Sequence, residues 1–186
     1  MKIFISGGCK NGKSFYAQRL TKAQQSGPLY YIATMRPGDT EDKNRITRHR
    51  QERFGWGFTT IEQNFDIKNI LVKCGHSGSF LLDSLTALLA NEMFLPNGSI
   101  NEKASLKIIN ELEQVLKSIS NIVIVSDYIY SDVIQYDPLT DLYRKSLSEI
   151  DQMVAKNCDI VLEAAYTHII VHKGRESFNA LYQEIV

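Results

Sequence analysis

Two short stretches hold residues whose types and spacing suit phosphate chemistry. The first is "GGCKNGKS", which satisfies Gly-x-x-x-x-Gly-Lys-Ser from Gly7 to Ser14. Gly7 and Gly12 allow a backbone path that strains other residues, so the amides of Gly8, Cys9, Lys10 and Asn11 can turn inward around an anion. Lys13 would reach the β- and γ-phosphates of a nucleotide, and the Ser14 hydroxyl would hold a magnesium ion. The helix that starts there turns its positive end toward the same anion. Cys9 reads as a small filler of the loop. A phosphate cradle of this kind calls for an acid at a neighbouring strand end, and "SFLLD" supplies Asp83. Asp83 could instead cap the helix that begins at Ser84 or Leu85. Asp127, ending "NIVIVSD", is the second candidate carboxylate.

The second stretch is "NRITRHRQER" (44–53), in which Arg45, Arg48, Arg50 and Arg53 surround His49. If residues 42–53 form a helix, Arg45, His49 and Arg53 share one face. Guanidinium groups match phosphate oxygens with paired hydrogen bonds, so a polyphosphate would remove the repulsion between them. Close cations also favour the neutral imidazole, the form that attacks phosphorus and leaves a phosphoramidate. A solvated basic helix with an incidental histidine has the same spacing. His76 reads as a loop residue, and His168 and His172 as structural members of a closing hairpin.

Elements must exist to hold these groups. Runs apolar at nearly every position recur at 2–6 (KIFIS), 29–34 (LYYIAT), 79–83 (SFLLD), 121–127 (NIVIVSD), 158–165 (CDIVLEAA) and 167–173 (THIIVHK), as in strands covered on both faces. Between them, 13–25, 85–94, 102–119 and 139–157 carry apolar residues at three- and four-residue spacing. Strand alternating with helix predicts an α/β fold, a mostly parallel sheet with helices on both faces. The last two strands are nearly contiguous and should form an antiparallel hairpin. The segment 35–69, polar and rich in Gly and Arg, is expected to be the least regular and to carry substrate contacts. The tail 175–186 reads as a short amphipathic helix, packing on the domain or on a partner subunit.

Composition narrows the classes. The 186 residues carry 21 Lys+Arg against 21 Asp+Glu, so no general attraction to nucleic acid or anionic lipid is expected and any anion site must be local. Cys9, Cys74 and Cys158 lie far apart without a Cys-x-x-Cys pair, which argues against zinc and fits a reducing compartment. There is no apolar run long enough for a signal peptide or a membrane span. With no repeat or linker to divide it, 1–186 is expected to be one domain of a cytoplasmic protein.

The order and spacing of "GGCKNGKS", "LYYIAT", "RITRHRQER", "GWGFTTIE" and "LLDSLTALLANEMF" resemble the bifunctional adenosylcobinamide kinase / adenosylcobinamide-phosphate guanylyltransferase family of cobalamin biosynthesis. The likeness covers most of residues 1 to 95. It implies a RecA-like P-loop NTPase domain, magnesium, GTP and ATP as substrates, a corrinoid acceptor and assembly as a homo-oligomer. His49 takes the position of the histidine that GTP guanylylates, with loss of pyrophosphate, before GMP passes to the corrinoid phosphate. The same resemblance assigns nucleotide contacts to Arg50, Gln51, Glu52 and Arg53, to Ala33, Thr34 and Met35, and to Glu62. Asp83 takes the place of the acidic strand-end residue. Lys13 belongs with His49 as a catalytic group.

The second half departs from that pattern. Where the family reads Asn-Glu-Val-Gly-x-Gly, this chain has Asp127, Tyr128, Ile129, Tyr130, Ser131 and Asp132. Further on, "YRKSLSEIDQ" retains only Arg144 and Gln152 of the family's residues. Two other readings therefore stand beside the first. One is a related P-loop kinase with an altered or lost corrinoid acceptor. The other is a nucleotide-switched binding protein without transfer chemistry, although the chain lacks the Asn-Lys-x-Asp with which regulatory GTPases read guanine.

Overall fold

The computed structural model describes residues 1–38, 47, 51, 53–166 and 168–183. Seven strands form one sheet: β1 (Lys2–Gly7), β2 (Leu29–Ala33), β3 (Phe58–Glu62), β4 (Ser79–Asp83), β5 (Asn121–Val125), β6 (Ile160–Ala165) and β7 (His168–Lys173). Their order is β3-β2-β4-β5-β1-β6-β7. All neighbours pair in parallel except β6 with β7, which are antiparallel.

Alternating strand residues feed two apolar layers, which is why the central strands read as apolar throughout. On one face, Phe4, Phe80, Leu82, Ile122 and Ile124 pack against α3 (Leu85–Met93), α4 (Ala104–Ser118) and α5 (Pro138–Asn157). The opposite face sets Ile3, Ile5, Leu81, Val123 and Leu162 against α1 (Lys13–Ala23) and against Phe178 and Leu181 of α6 (Arg175–Tyr182). The C-terminal helix thus packs on its own domain. Helix α5 begins at Pro138, whose missing N–H costs nothing in a first turn, and the Asp137 carboxylate accepts from the Leu139 and Thr140 amides at 3.0 and 3.1 Å.

The described part of the segment 35–69 is more regular than its composition suggests. It contains β3 on the sheet edge and a 3-10 turn at Ile67–Asn69 that leads into α2 (Ile70–Cys74). An edge strand covered on one side needs few apolar residues, and none of the side chains of "FTTIE" is fully buried. Nearby, the Lys107 ammonium lies 2.7 Å from carboxylate oxygens of both Asp66 and Glu92. With Glu111, which pairs with Lys68 at 3.9 Å, these form the one close His/Cys/carboxylate cluster among the described residues.

Candidate active site

Because six strands are parallel, their carboxyl ends line one edge, and there lie the phosphate loop, Ala33 to Met35, Glu62 and Asp83. The phosphate loop leaves β1 and enters α1 through Gly12, which caps the helix at φ 87°. Gly7 has φ 150°, and a Cβ there would lie 2.3 Å from the Ala164 carbonyl oxygen on β6. Only glycine fits that approach. The Asn11 side-chain amide donates to the same Ala164 oxygen, which ties the loop to its neighbour. Lys10 also takes a left-handed angle, φ 58°. Gly8, Cys9 and Lys10 form the exposed tip, while Ser14 is half-buried in the first turn of α1. Lys13 is only 6% exposed. Its ammonium donates to the Gly8 carbonyl at 2.7 Å and pairs with Asp127 Oδ1 at 2.8 Å.

Two strands away, Asp83 ends β4 in register with Ala33 of β2 and Val125 of β5. The N-cap of α3 is Ser84, whose hydroxyl accepts from the Ala87 amide at 3.3 Å. Asp83 is therefore not the cap. Its Oδ2 accepts from the Tyr31 hydroxyl at 2.7 Å. The Arg53 guanidinium lies 3.9 Å above the Tyr31 ring and donates to Thr60 Oγ1 at 3.0 Å. Arg53, 7% exposed, thus connects the arginine-rich segment to the strand-end carboxylate through one aromatic ring. The expected contact residues Ala33, Thr34 and Met35 lie at the end of β2. The Thr34 hydroxyl is committed to Ser84, accepting from its amide and donating to its carbonyl, both at 2.7 Å. The Thr34 carbonyl accepts from Asn91 at 2.7 Å and Asn64 at 3.0 Å. Glu62 is exposed at the end of β3, paired with Ala33. Gln51 is exposed, and Arg45, Arg48, His49, Arg50 and Glu52 lie outside the described residues.

The structure adds groups that residue patterns did not single out. Tyr31 looked like one more strand residue in "LYYIAT", and no spacing rule marks its hydroxyl as a partner for Asp83. Asp151, 2% exposed on α5, accepts from the Tyr130 hydroxyl at 3.1 Å. Burial pushes its carboxyl up to about 7, against the opposing pull of the Ser126 and Tyr130 hydroxyls and with the help of the nearby Asp127 charge. Arg144 fastens the same segment: it donates to the Ile129 carbonyl at 3.0 Å and to Asp132 at 2.7 Å, and stacks on Tyr136 at 4.5 Å. Tyr130 and Asp132 are thus wired to α5. Among the described histidines, His172 pairs with Glu163 at 2.8 Å within the hairpin.

Comparison with known proteins identifies the family. The profile of the cobinamide kinase / cobinamide phosphate guanyltransferase family matches residues 3–167. The bifunctional adenosylcobalamin biosynthesis protein CobP of Pseudomonas aeruginosa is 32% identical over 168 residues, covering 87% of this chain and 91% of that protein. Among solved structures, a KaiC-like protein from the archaeon Pyrococcus horikoshii is similar with a TM-score of 0.52 at 14% identity, covering 94% of this chain and 79% of its own. That likeness concerns the fold alone, a mostly parallel sheet with helices on both faces. A phosphate loop at the head of a parallel sheet, acids on the adjoining strand ends and a family match across nearly the whole length make this chain a nucleotide-dependent transferase of the cobinamide kinase / cobinamide phosphate guanyltransferase family.

Proposed function

We propose that the protein phosphorylates the aminopropanol hydroxyl of adenosylcobinamide and then transfers GMP from GTP to the resulting corrinoid phosphate through His49. In the first step the acceptor oxygen attacks the γ-phosphorus of ATP or GTP, and the bond to the β-phosphate breaks. In the second, an imidazole nitrogen of His49 bonds to the α-phosphorus of GTP as pyrophosphate leaves, and the corrinoid phosphate oxygen later displaces the histidine. Lys13 and the loop amides bind the β- and γ-phosphates, and Arg50 and Arg53 balance the charge that develops on pyrophosphate. Ser14 and Asp83 offer hydroxyl and carboxylate oxygens, the hard donors magnesium prefers, and the bound ion would neutralise phosphate charge. The reading includes Gly7 to Asn11, Ala33 to Met35, Gln51, Glu52 and Glu62 as contacts of the nucleotide. It also takes the chain as a single domain, cytoplasmic and homo-oligomeric; no described helix is long and apolar enough to cross a membrane.

One observation carries the proposal: the Gly7–Ser14 loop stands on the same sheet edge as Asp83, in a chain whose family match extends over residues 3–167. Incubation with α-labelled GTP tests it. An acid-labile protein adduct is expected, absent from His49→Ala, while kinase turnover of cobinamide survives that substitution and is lost in Lys13→Ala. A folded wild-type protein that takes up no label refutes the histidine step. A second reading, a kinase for another hydroxyl acceptor, draws on the rebuilt segment 127–137, where Tyr130 and Asp132 are fastened to α5. Phosphorylation of a different alcohol in place of cobinamide would select it.

A further inference from the structure

An ammonium group has three N–H donors. At Lys13 all three face protein oxygens: the Gly8 carbonyl at 2.7 Å, Asp127 Oδ1 at 2.8 Å and, more loosely, Asn11 Oδ1 at 3.5 Å. Two of these acceptors belong to the phosphate loop itself. The lysine is therefore folded back across the cradle that it is meant to serve. A triphosphate cannot receive this ammonium until at least one of those contacts opens.

Asp127 is the strongest of the three acceptors because it alone carries charge. It is well placed to hold the lysine. Strand β5 lies directly beside β1, and the backbone just past it continues that pairing: the Ser126 amide donates to Ile5 at 3.1 Å and the Tyr128 amide to Gly7 at 3.0 Å. The Asp127 amide itself donates to Thr86 Oγ1 at 2.9 Å. The carboxylate is 15% exposed and its partner 6%, so water screens the pair little.

We propose that Asp127 is a positioning residue that acts through Lys13: it holds the ammonium in the closed cradle and sets the affinity of the loop for nucleoside triphosphates, which bind by exchanging this carboxylate for their own phosphate oxygens. The inference rests on the nucleotide-binding reading above, and it concerns ground-state occupancy of the lysine rather than a chemical step. Removing the carboxylate leaves a buried ammonium short of its charged partner, which weakens the empty protein, and the triphosphate relieves that deficit on binding. The two effects have opposite signs. A residue with a merely structural role would lower both together.

Asp127→Asn tests this, since asparagine keeps the size and one carbonyl acceptor. The thermal midpoint of the nucleotide-free variant should fall, while the dissociation constants of Mg-GTP and Mg-ATP measured by calorimetry should tighten about tenfold. The rate of GMP transfer at saturating GTP should stay within about twofold, a change confined to KM. Asp127→Glu, which retains the charge, should return affinity toward wild type. In a Lys13→Ala background, titrated at millimolar nucleotide, Asp127→Asn should lose most of its effect; equal tightening there would reduce Asp127 to simple repulsion of phosphate and overturn the proposal. Weaker binding, or a large fall in transfer rate, would overturn it too, by making Asp127 a metal ligand or a proton acceptor. Failure of the wild type to bind either nucleotide would overturn the underlying reading instead, and the proposal with it.

Discussion

Tyr31→Phe removes a single oxygen and leaves the rest of the site in place. The ring remains to carry the Arg53 guanidinium at 3.9 Å and the edge contact with Phe58 at 6.3 Å between centroids. What disappears is the hydroxyl that donates to Asp83 Oδ2 at 2.7 Å from a residue only 5% exposed. A hydrogen bond to a charged acceptor is worth about 1.5 to 3 kcal/mol. Asp83 is half-exposed and can recruit water, so the lower end applies, about 1.5 kcal/mol. In a protein of this size that loss lowers the thermal midpoint by about 3 to 6 °C. If Asp83 completes the magnesium shell, the loss also appears in binding, because an unoriented carboxylate costs metal affinity. Partners of metal ligands typically contribute at least about tenfold. Titration of the variant with Mg-GTP should therefore show binding weakened by about one order of magnitude, with metal-free GTP unaffected. A lowered midpoint together with Mg-GTP affinity within twofold of wild type would refute the reasoning: Tyr31 would then be structural alone, and Asp83 would not hold the metal.

Two further outcomes follow from the geometry. Gly7→Ala places a Cβ 2.3 Å from the Ala164 carbonyl oxygen at φ 150°; a loss of about 2 to 4 kcal/mol of stability and of all triphosphate binding is expected, checked by denaturant unfolding and calorimetry. Asp151 has its carboxyl raised from 3.8 to about 7 by burial, so the folded state retains a proton that the unfolded chain releases. Its contribution to stability is full below the unfolded value and falls away as pH rises through the folded one, by up to about 4 kcal/mol. Asp151→Asn, a neutral stand-in for the protonated acid, should match wild type near pH 4 and exceed it at pH 8 in thermal unfolding; a gap independent of pH would count against a titrating Asp151.

Much of this molecule was legible before any fold was known, and for definite reasons. Strands β1, β4 and β5 are covered on both faces, so they had to be apolar at nearly every position, and such runs stand out. The phosphate loop was equally plain because its chemistry is local: Gly7, Gly12, Lys13 and Ser14 do their work within eight consecutive residues. Strand β3 escaped notice since an edge strand half open to solvent lacks the apolar signature, and its residues sit among the glycines and arginines of a segment expected to be irregular.

The sequence by itself determined the phosphate loop, the alternation of strand and helix, and the resemblance that points to His49. Only the tertiary structure decided how separate segments meet: that Ser84 rather than Asp83 caps α3, that Tyr31 holds Asp83 under the Arg53 guanidinium, and that Asp127 claims Lys13. The last two join residues on or beside different strands, and which strands are neighbours follows from the order β3-β2-β4-β5-β1-β6-β7. Spacing along a chain records period and turn chemistry; the lateral order of strands is set by which apolar faces pack together, and that is a property of the whole fold.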